Sequence, residues 1–286
     1  GCGTQRWGDS PVTDDRPEFS IVVPTWNGEG RIVETLRSLT EQRLPARCYE
    51  VIVVDDGSTD RTVATVQEFA RRHPHIALTC RAEPHGGVNS ARNAGIRAST
   101  GKVIGFVDDD ELVQPDHLES VRAALDSALG AESGGVGGPA TAESASFRTC
   151  PTCSIGDATL PIAGAGTSRR LLGGNMYIKR SVFDEVGLFD EDISGRGDEN
   201  EWFARADRGF LYDEQLSVRH RRDHLSLRQL LVTGYRQGRA TPVAQAKLGN
   251  PEALRLLPKL GEPKPRAQRV RLPSELLKGH RPRLSA

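Results

Sequence analysis

Four short runs rich in β-branched and apolar residues, FSIVVP (19–24), YEVIVVDD (49–56), HIALTC (75–80) and KVIGFVDD (102–109), are separated by stretches with helical periodicity. Such runs read as strands buried on both faces, and strands alternating with helices at this spacing build a mostly parallel sheet. After a turn at Asn27-Gly28, Ile32, Val33, Leu36 and Leu39 share one helical face. Val63, Val66 and Ala70 share another after DGSTD, where Ser58 or Asp60 can cap. Leu118, Val121, Leu125 and Leu129 repeat the pattern beyond the fourth run. The expected fold class is α/β: a doubly wound, Rossmann-like, mostly parallel sheet with helices on both faces. In such sheets ligands sit beyond the carboxyl ends of the strands.

That rule draws attention to the acids. The fourth run ends in Asp108, Asp109, Asp110 and Glu111, and the second ends in Asp55 and Asp56, so two carboxylate clusters face one crevice. Like charges this close raise one another's pKa and cost stability unless something positive sits among them. Carboxylates spaced D-x-D are hard oxygen ligands, suited to a Mn²⁺ or Mg²⁺ ion that also holds a phosphate-bearing substrate. A solvated acidic loop is the competing reading of so short a motif. Residues 130–168, rich in Gly, Ser, Ala and Thr, break the rhythm and read as a mobile loop near the crevice. Beyond them, GDENEWFARADRGF takes a further acidic cluster into a helix, and LYDEQLSVRHRRDHLS is strand-like with histidines.

With 37% hydrophobic and 27% charged residues, the 286-residue chain suits one generous domain or a domain with an appendage. No apolar run approaches the roughly 18 to 20 residues that span a bilayer, and the N-terminal stretch lacks the features of a signal peptide. The expectation is a soluble, cytoplasmic protein. Five cysteines do not read as a disulfide framework, and the lone Cys150-x-x-Cys153 pair disfavours structural zinc. The net charge of zero hides an asymmetry, because residues 215–286 hold sixteen Lys and Arg against four Asp and Glu. This proline-rich stretch reads as a basic appendage or a partly disordered tail. Its Leu-Arg-Lys clusters suit peripheral contact with the inner face of an anionic membrane, or with the acidic front of the chain. That acidic front disfavours nucleic acid as a partner.

The segments SIVVPTWNGEGRIVETLRSLTEQ, VIVVDDGSTDRT, GGVNSARNAGIRASTGKVIGFVDDDE and GDENEWFARADRGF, in this order and at these separations, resemble family 2 glycosyltransferases with the GT-A, nucleotide-diphosphosugar transferase fold. The resemblance spans roughly residues 18–240, leaving 1–17 as an extension and 241–286 as a basic C-terminal tail. It implies an inverting, metal-dependent transferase. The donor would be a nucleotide-diphosphate sugar, with a UDP-sugar favoured, and the acceptor a hydroxyl on a glycan, a lipid-linked molecule or a small molecule. The donor sugar, the acceptor and the oligomeric state are not legible.

Residue by residue, the resemblance puts Asp56 on the nucleoside base with Asp55 supporting it, and Pro24, Thr25 and Asn27 in the loop around the nucleotide. Arg92 would meet phosphate or sugar, and Asn93 would order the loop. Asp108 would face ribose or metal and Asp110 the cation, with Asp109 the variable middle position. Gly173, Gly174 and Asn175 would approach donor and acceptor. His220 would help hold the metal, with His224 as the fallback. GDENEWFAR resembles an acid pair opening a helix in which the second acid is the general base, which aligns Glu199 with the base and Asp198 with its neighbour. The order Asp-Glu, in place of the family's Glu-Asp, leaves both open. A base is required because an acceptor hydroxyl, with a pKa far above neutrality, must lose its proton as it attacks. Two other readings compete. A non-catalytic sugar-nucleotide-binding module would have lost these acids. A sugar-nucleotide pyrophosphorylase would need a basic, Gly-rich phosphate loop after the first strand, where PTWNGEGRI offers only Arg31.

Overall fold

β1 (Phe19–Thr25) is buried along its whole length, and its side chains alternate between two apolar layers. Ile21 and Val23 pack with Ile32, Leu36 and Leu39 of α1 (Ile32–Thr40), Val66 and Phe69 of α2 (Thr62–Arg72), and Leu118, Val121 and Leu125 of α4 (His117–Asp126). Val22 points the other way, into a layer with Ala91 and Ile96 of α3 (Val88–Ala98), Val182 and Phe183 of α6 (Arg180–Val186), and Trp202 and Phe203 of α7 (Asn200–Ala206). A computed structural model describes residues 16–142, 166–193 and 198–221. No described helix is long and apolar enough to cross a membrane.

The remaining strands are β2 (Tyr49–Asp56), β3 (Ala77–Glu83), β4 (Val103–Val107), β5 (Glu111–Leu112), β6 (Gly135–Gly137), β7 (Ala140–Ala142), β8 (Gly166–Ser168), β9 (Asn175–Lys179), β10 (Phe210–Tyr212) and β11 (Val218–His220). The large sheet runs β3-β2-β1-β4-β9-β6-β10-β8, and its first four strands are parallel. β9 is antiparallel to both β4 and β6. A small sheet, β5-β11-β7, stands beside it. The strand order reverses at β1, between β2 and β4, which opens a crevice at the carboxyl ends of these strands.

Several sequence expectations shift. β3 is not buried on both faces: it forms the sheet edge, and its residues alternate between exposed and half-buried. The helix expected to carry Leu129 ends at Asp126. Ser127 then caps the short α5 (Ala128–Glu132), its Oγ accepting from Gly130 N, and the turn leaves Leu129 exposed. On α2 the buried partner of Val66 is Phe69, with Ala70 only half-buried. Asp60 accepts from Thr62 N at the start of α2, whereas Ser58 Oγ accepts from Asn27 N.

The segment read as a loop over 130–168 contains β6, which lies between β9 and β10 in the large sheet, as well as β7 and β8. A Cβ at Gly135 or Gly137 would lie 2.3 or 2.4 Å from the carbonyl oxygens of Tyr177 and Asn175 on β9. Glycine is required there by the close approach of another backbone, and it erases the alternation that marks a strand. Cys48 is disulfide-bonded, and Cys80 is a free thiol. His224, Cys150, Cys153 and the basic tail also lie outside the described residues.

His117, on α4, is buried beneath the sheet with Nε2 2.9 Å from Tyr177 Oη. Burial pushes its imidazole from 6.5 down to about 4, with Asp116 pulling weakly the other way. The unfolded chain takes up this proton near its ordinary value while the folded chain resists it. The contribution to stability is therefore complete above pH 6.5 and lost as the pH falls towards about 4. A shift of this size corresponds to roughly 3 kcal/mol. In urea titrations, the stability of His117→Phe should fall less steeply than that of the parent over this interval.

Candidate active site

One wall of the crevice is made by the ends of β1, β2 and β4. β2 ends in Asp55 and Asp56, both buried. Asp56 receives hydrogen bonds from the backbone N–H groups of Gly86 and Gly87, at 2.7 to 3.2 Å, and lies 2.8 Å from His85 Nδ1. Asp55 Oδ2 accepts from Ser58 N, and its buried Oδ1 has no hydrogen-bond partner. Above them the His85 ring stacks on Trp26 at 4.9 Å. Trp26 is 49% exposed, an unusual position for the largest apolar side chain.

Asn27 sits in the left-handed region at φ 50° and staples two loops together, its N–H donating to Ser58 Oγ and its Oδ1 accepting from Thr59 N. Pro24 pairs with Val54 within the sheet.

The acidic run follows β4, and its acids are met by residues from other elements. Asp109 is held by a two-pronged contact with Arg31, Nε to Oδ1 at 2.7 Å and Nη2 to Oδ2 at 2.8 Å, and by Thr25 Oγ1 at 2.6 Å. Asp110 Oδ1 lies 3.4 Å from His220 Nε2, because β11 pairs with β5 and sets His220 opposite Glu111. Burial pushes Asp108 above the usual carboxylate range, Arg92 pulls it back, and Asp110 and Asp109 push it up again. Glu111 is driven well above that range by burial and by Asp108, against the pull of His220. No group of three or more His, Cys, Asp or Glu among the described residues is arranged as a ready-made metal cage. The oxygen-rich set still fits a hard cation that keeps only one or two carboxylates and completes its shell with substrate phosphates.

The opposite wall centres on Arg92, which α3 carries into the interior. Its Nη1 donates to Asp198 Oδ1 at 3.0 Å and to Asn89 Oδ1 at 3.2 Å. Asn89 Nδ2 in turn donates to the carbonyls of Asp190, Ile193 and Asp198. Asn93 fixes the same segment by bonding both the N–H and the carbonyl of Phe189. Burial pushes the Asp198 carboxyl well above its usual range, Arg92 pulls it down, and Glu199 pushes it up. Glu199, directly before α7, is half-exposed.

Gly173 and Gly174 join the two walls. A Cβ at 173 would lie 2.6 Å from Arg92 Nη2 and 3.4 Å from Glu199 Cδ, and one at 174 would lie 2.5 Å from Glu111 Oε2. Asn175 faces away: its Nδ2 donates to the carbonyls of Leu216 and Pro139. The structure thus gathers Asp108, Asp109, Asp110, His220, Arg92, Asp198, Glu199, Gly173 and Gly174, while Pro24, Asn27, Asn93 and Asn175 make scaffold contacts. Sequence reasoning passed over Trp26, His85, Asn89 and the role of Arg31. The signal for Trp26 was available, as an aromatic just past a strand end and next to a turn.

A parallel β3-β2-β1-β4 sheet with acids at its carboxyl ends and a mixed second half defines a GT-A fold. The large sheet superposes on solved structures of that class with low identity. One is a Pyrobaculum calidifontis mannosyltransferase, PcManGT, in complex with GDP-Man and Mn²⁺: TM-score 0.64, 23% identity, covering 88% of this chain and 71% of that one. Another is Staphylococcus aureus TarS 1-349 in complex with UDP-GlcNAc: TM-score 0.57, 21% identity, 73% and 60% covered. Residues 20–149 match the family described as glycosyl transferase family 2. Among curated proteins, the poly(ribitol-phosphate) beta-N-acetylglucosaminyltransferase TarS of S. aureus strain Mu50 is 35% identical over 109 residues, covering 38% of this chain. The matched segment spans only 19% of that relative's length.

Removing the Arg92 cation should expose the cost of the charges it holds. Arg92→Met leaves Asp198 buried without its partner and should lower stability by about 3 to 5 kcal/mol in urea denaturation, while Arg92→Met/Asp198→Leu should recover much of that loss.

Proposed function

We propose that this chain is an inverting glycosyltransferase that moves a sugar from a nucleotide-diphosphate donor to an acceptor hydroxyl with the help of Mn²⁺ or Mg²⁺. The observation that carries the reading is the two-walled crevice, in which the acidic run after β4 and the Asp198-Glu199 pair meet across Gly173 and Gly174. The complexes of solved relatives with UDP-GlcNAc and with GDP-Man and Mn²⁺ support the donor class and the cation.

In this reading the base of the nucleotide lies against Trp26 and His85, with Asp55 and Asp56 beneath it. A UDP-sugar is the favoured donor. Asp108 and Asp110, with His220 beside Asp110, would hold the cation. When bound, the cation would offset the charge that develops on the departing diphosphate. Asp109 does not reach the donor, since Arg31 and Thr25 occupy both of its oxygens.

Glu199 is the general base and Asp198 its support. The argument is access: Asp198 is buried with Oδ1 engaged by Arg92, whereas Glu199 is half-exposed at the mouth. The acceptor hydroxyl approaches over Gly173, gives its proton to Glu199 and attacks the anomeric carbon from the face opposite the diphosphate, which inverts that centre.

Residues 18–240 form the catalytic unit and 241–286 a basic appendage that touches an anionic membrane surface, in keeping with a lipid-linked acceptor. Co-sedimentation with anionic vesicles should be seen at low salt and vanish when residues 250–286 are removed; no binding at low salt rules the contact out.

A panel of UDP- and GDP-sugars with Mn²⁺ tests the activity. The parent should release nucleotide from at least one donor, and excess chelator or Asp110→Ala should abolish this. Glu199→Gln should bind that nucleotide as the parent does but transfer sugar about a hundredfold more slowly or worse. If Asp198→Asn behaves this way and Glu199→Gln does not, the two roles are exchanged.

A further inference from the structure

Arg31, at the start of α1, uses both edges of its guanidinium. Nε and Nη2 grip the two oxygens of Asp109, while Nη1 and Nη2 donate to the carbonyls of Asn27 and Trp26 at 2.9 and 3.0 Å. Thr25 Oγ1 adds a third bond to Asp109, whose side chain is 8% exposed. The far side of the same loop is stapled to the β2–α2 turn by Asn27 with Ser58 and Thr59, and by Glu29 with Asp60 and Arg61. Asp109 lies between the two acids assigned to the cation. Arg31 therefore connects the loop that carries the exposed Trp26 to the middle of the acidic run.

We propose that Arg31 is a positioning residue: by clamping Asp109 to the Trp26 and Asn27 carbonyls, it sets the spacing between the base end and the diphosphate–cation end of the donor site. The proposal rests on the donor-site reading above, and it gives the middle acid of the run a task that involves no ligand. A planar fork suits it and an ammonium does not, because lysine cannot engage both carboxylate oxygens and two carbonyls in one plane.

Charge and geometry predict opposite signs. If Arg31 acted only through its charge, Arg31→Met would leave the acidic run more negative and Mn²⁺ would bind more tightly. If it positions, the same change loosens both ends of the site and the nucleotide–Mn²⁺ pair binds more weakly. Arg31→Met/Asp109→Asn separates the two, since it keeps the net charge, retains an acceptor for Thr25 and removes the clamp.

The test is calorimetric titration of the full chain with UDP and with GDP, each with and without Mn²⁺, alongside thermal melting. The double variant should melt close to the parent yet bind the parent's preferred nucleotide with Mn²⁺ about tenfold or more weakly, and gain less from Mn²⁺ than the parent gains. Arg31→Lys should show the same direction of change. A double variant that binds as the parent does, an Arg31→Met protein that binds more tightly, or full binding by Arg31→Lys each overturns the clamp while leaving the donor site standing. A parent that binds neither nucleotide with Mn²⁺ overturns the donor-site reading and the clamp with it.

Discussion

Four carboxylates in sequence at the end of a fully buried strand are an electrostatic burden that the rest of the molecule is arranged around. Three of them are met from different parts of the chain: Asp109 by Arg31 on the first loop, Asp110 by His220 on β11, and Asp108 by the field of Arg92 on α3. Three elements far apart in sequence must converge for this to work, and the parallel sheet is what brings them together. The compensation is partial, because Asp108 and Glu111 remain displaced upward by burial and by one another. Carboxylates in this condition are relieved by any positive charge placed beside them.

The opposite wall repeats the logic with a single cation. Arg92 lies near Asp108, Asp198 and Glu199, and one buried guanidinium serves carboxylates on both sides of the crevice. Its orientation comes from Asn89, which also ties down the chain leading to the acid pair. Gly173 and Gly174 matter for what they lack: side chains there would push into Arg92 and Glu111. The walls can close on each other only because that backbone is bare.

How much of this was legible in the sequence divides along physical lines. β1, β2, β4 and the faces of α1 and α4 were readable because two-sided burial and helical period are local properties of the chain. β6 was missed because its role as an inner strand depends on glycine fitting against β9, a contact between distant residues. β3 was read as buried because an edge strand with Leu78 and Cys80 has the same letters as a central one. In the site, the acids announced themselves by type and spacing. Arg31, Asn89 and His85 did not, because what defines each is a partner more than twenty-five residues away. Asp109 illustrates the limit best: adjacency to Asp108 and Asp110 groups it with them, but its partners turn it out of the crevice.

The small sheet has a consequence for the order in which the molecule can be completed. β5 begins at the last of the four acids, and its one described partner is β11, the last described strand. A chain emerging from the ribosome therefore makes the acidic run long before it makes His220 and the strand that holds Glu111 in place. Until then the crevice carries its negative charge without part of its compensation. Among the described residues, the three-residue β11 is the last strand the chain supplies to the mouth of the site.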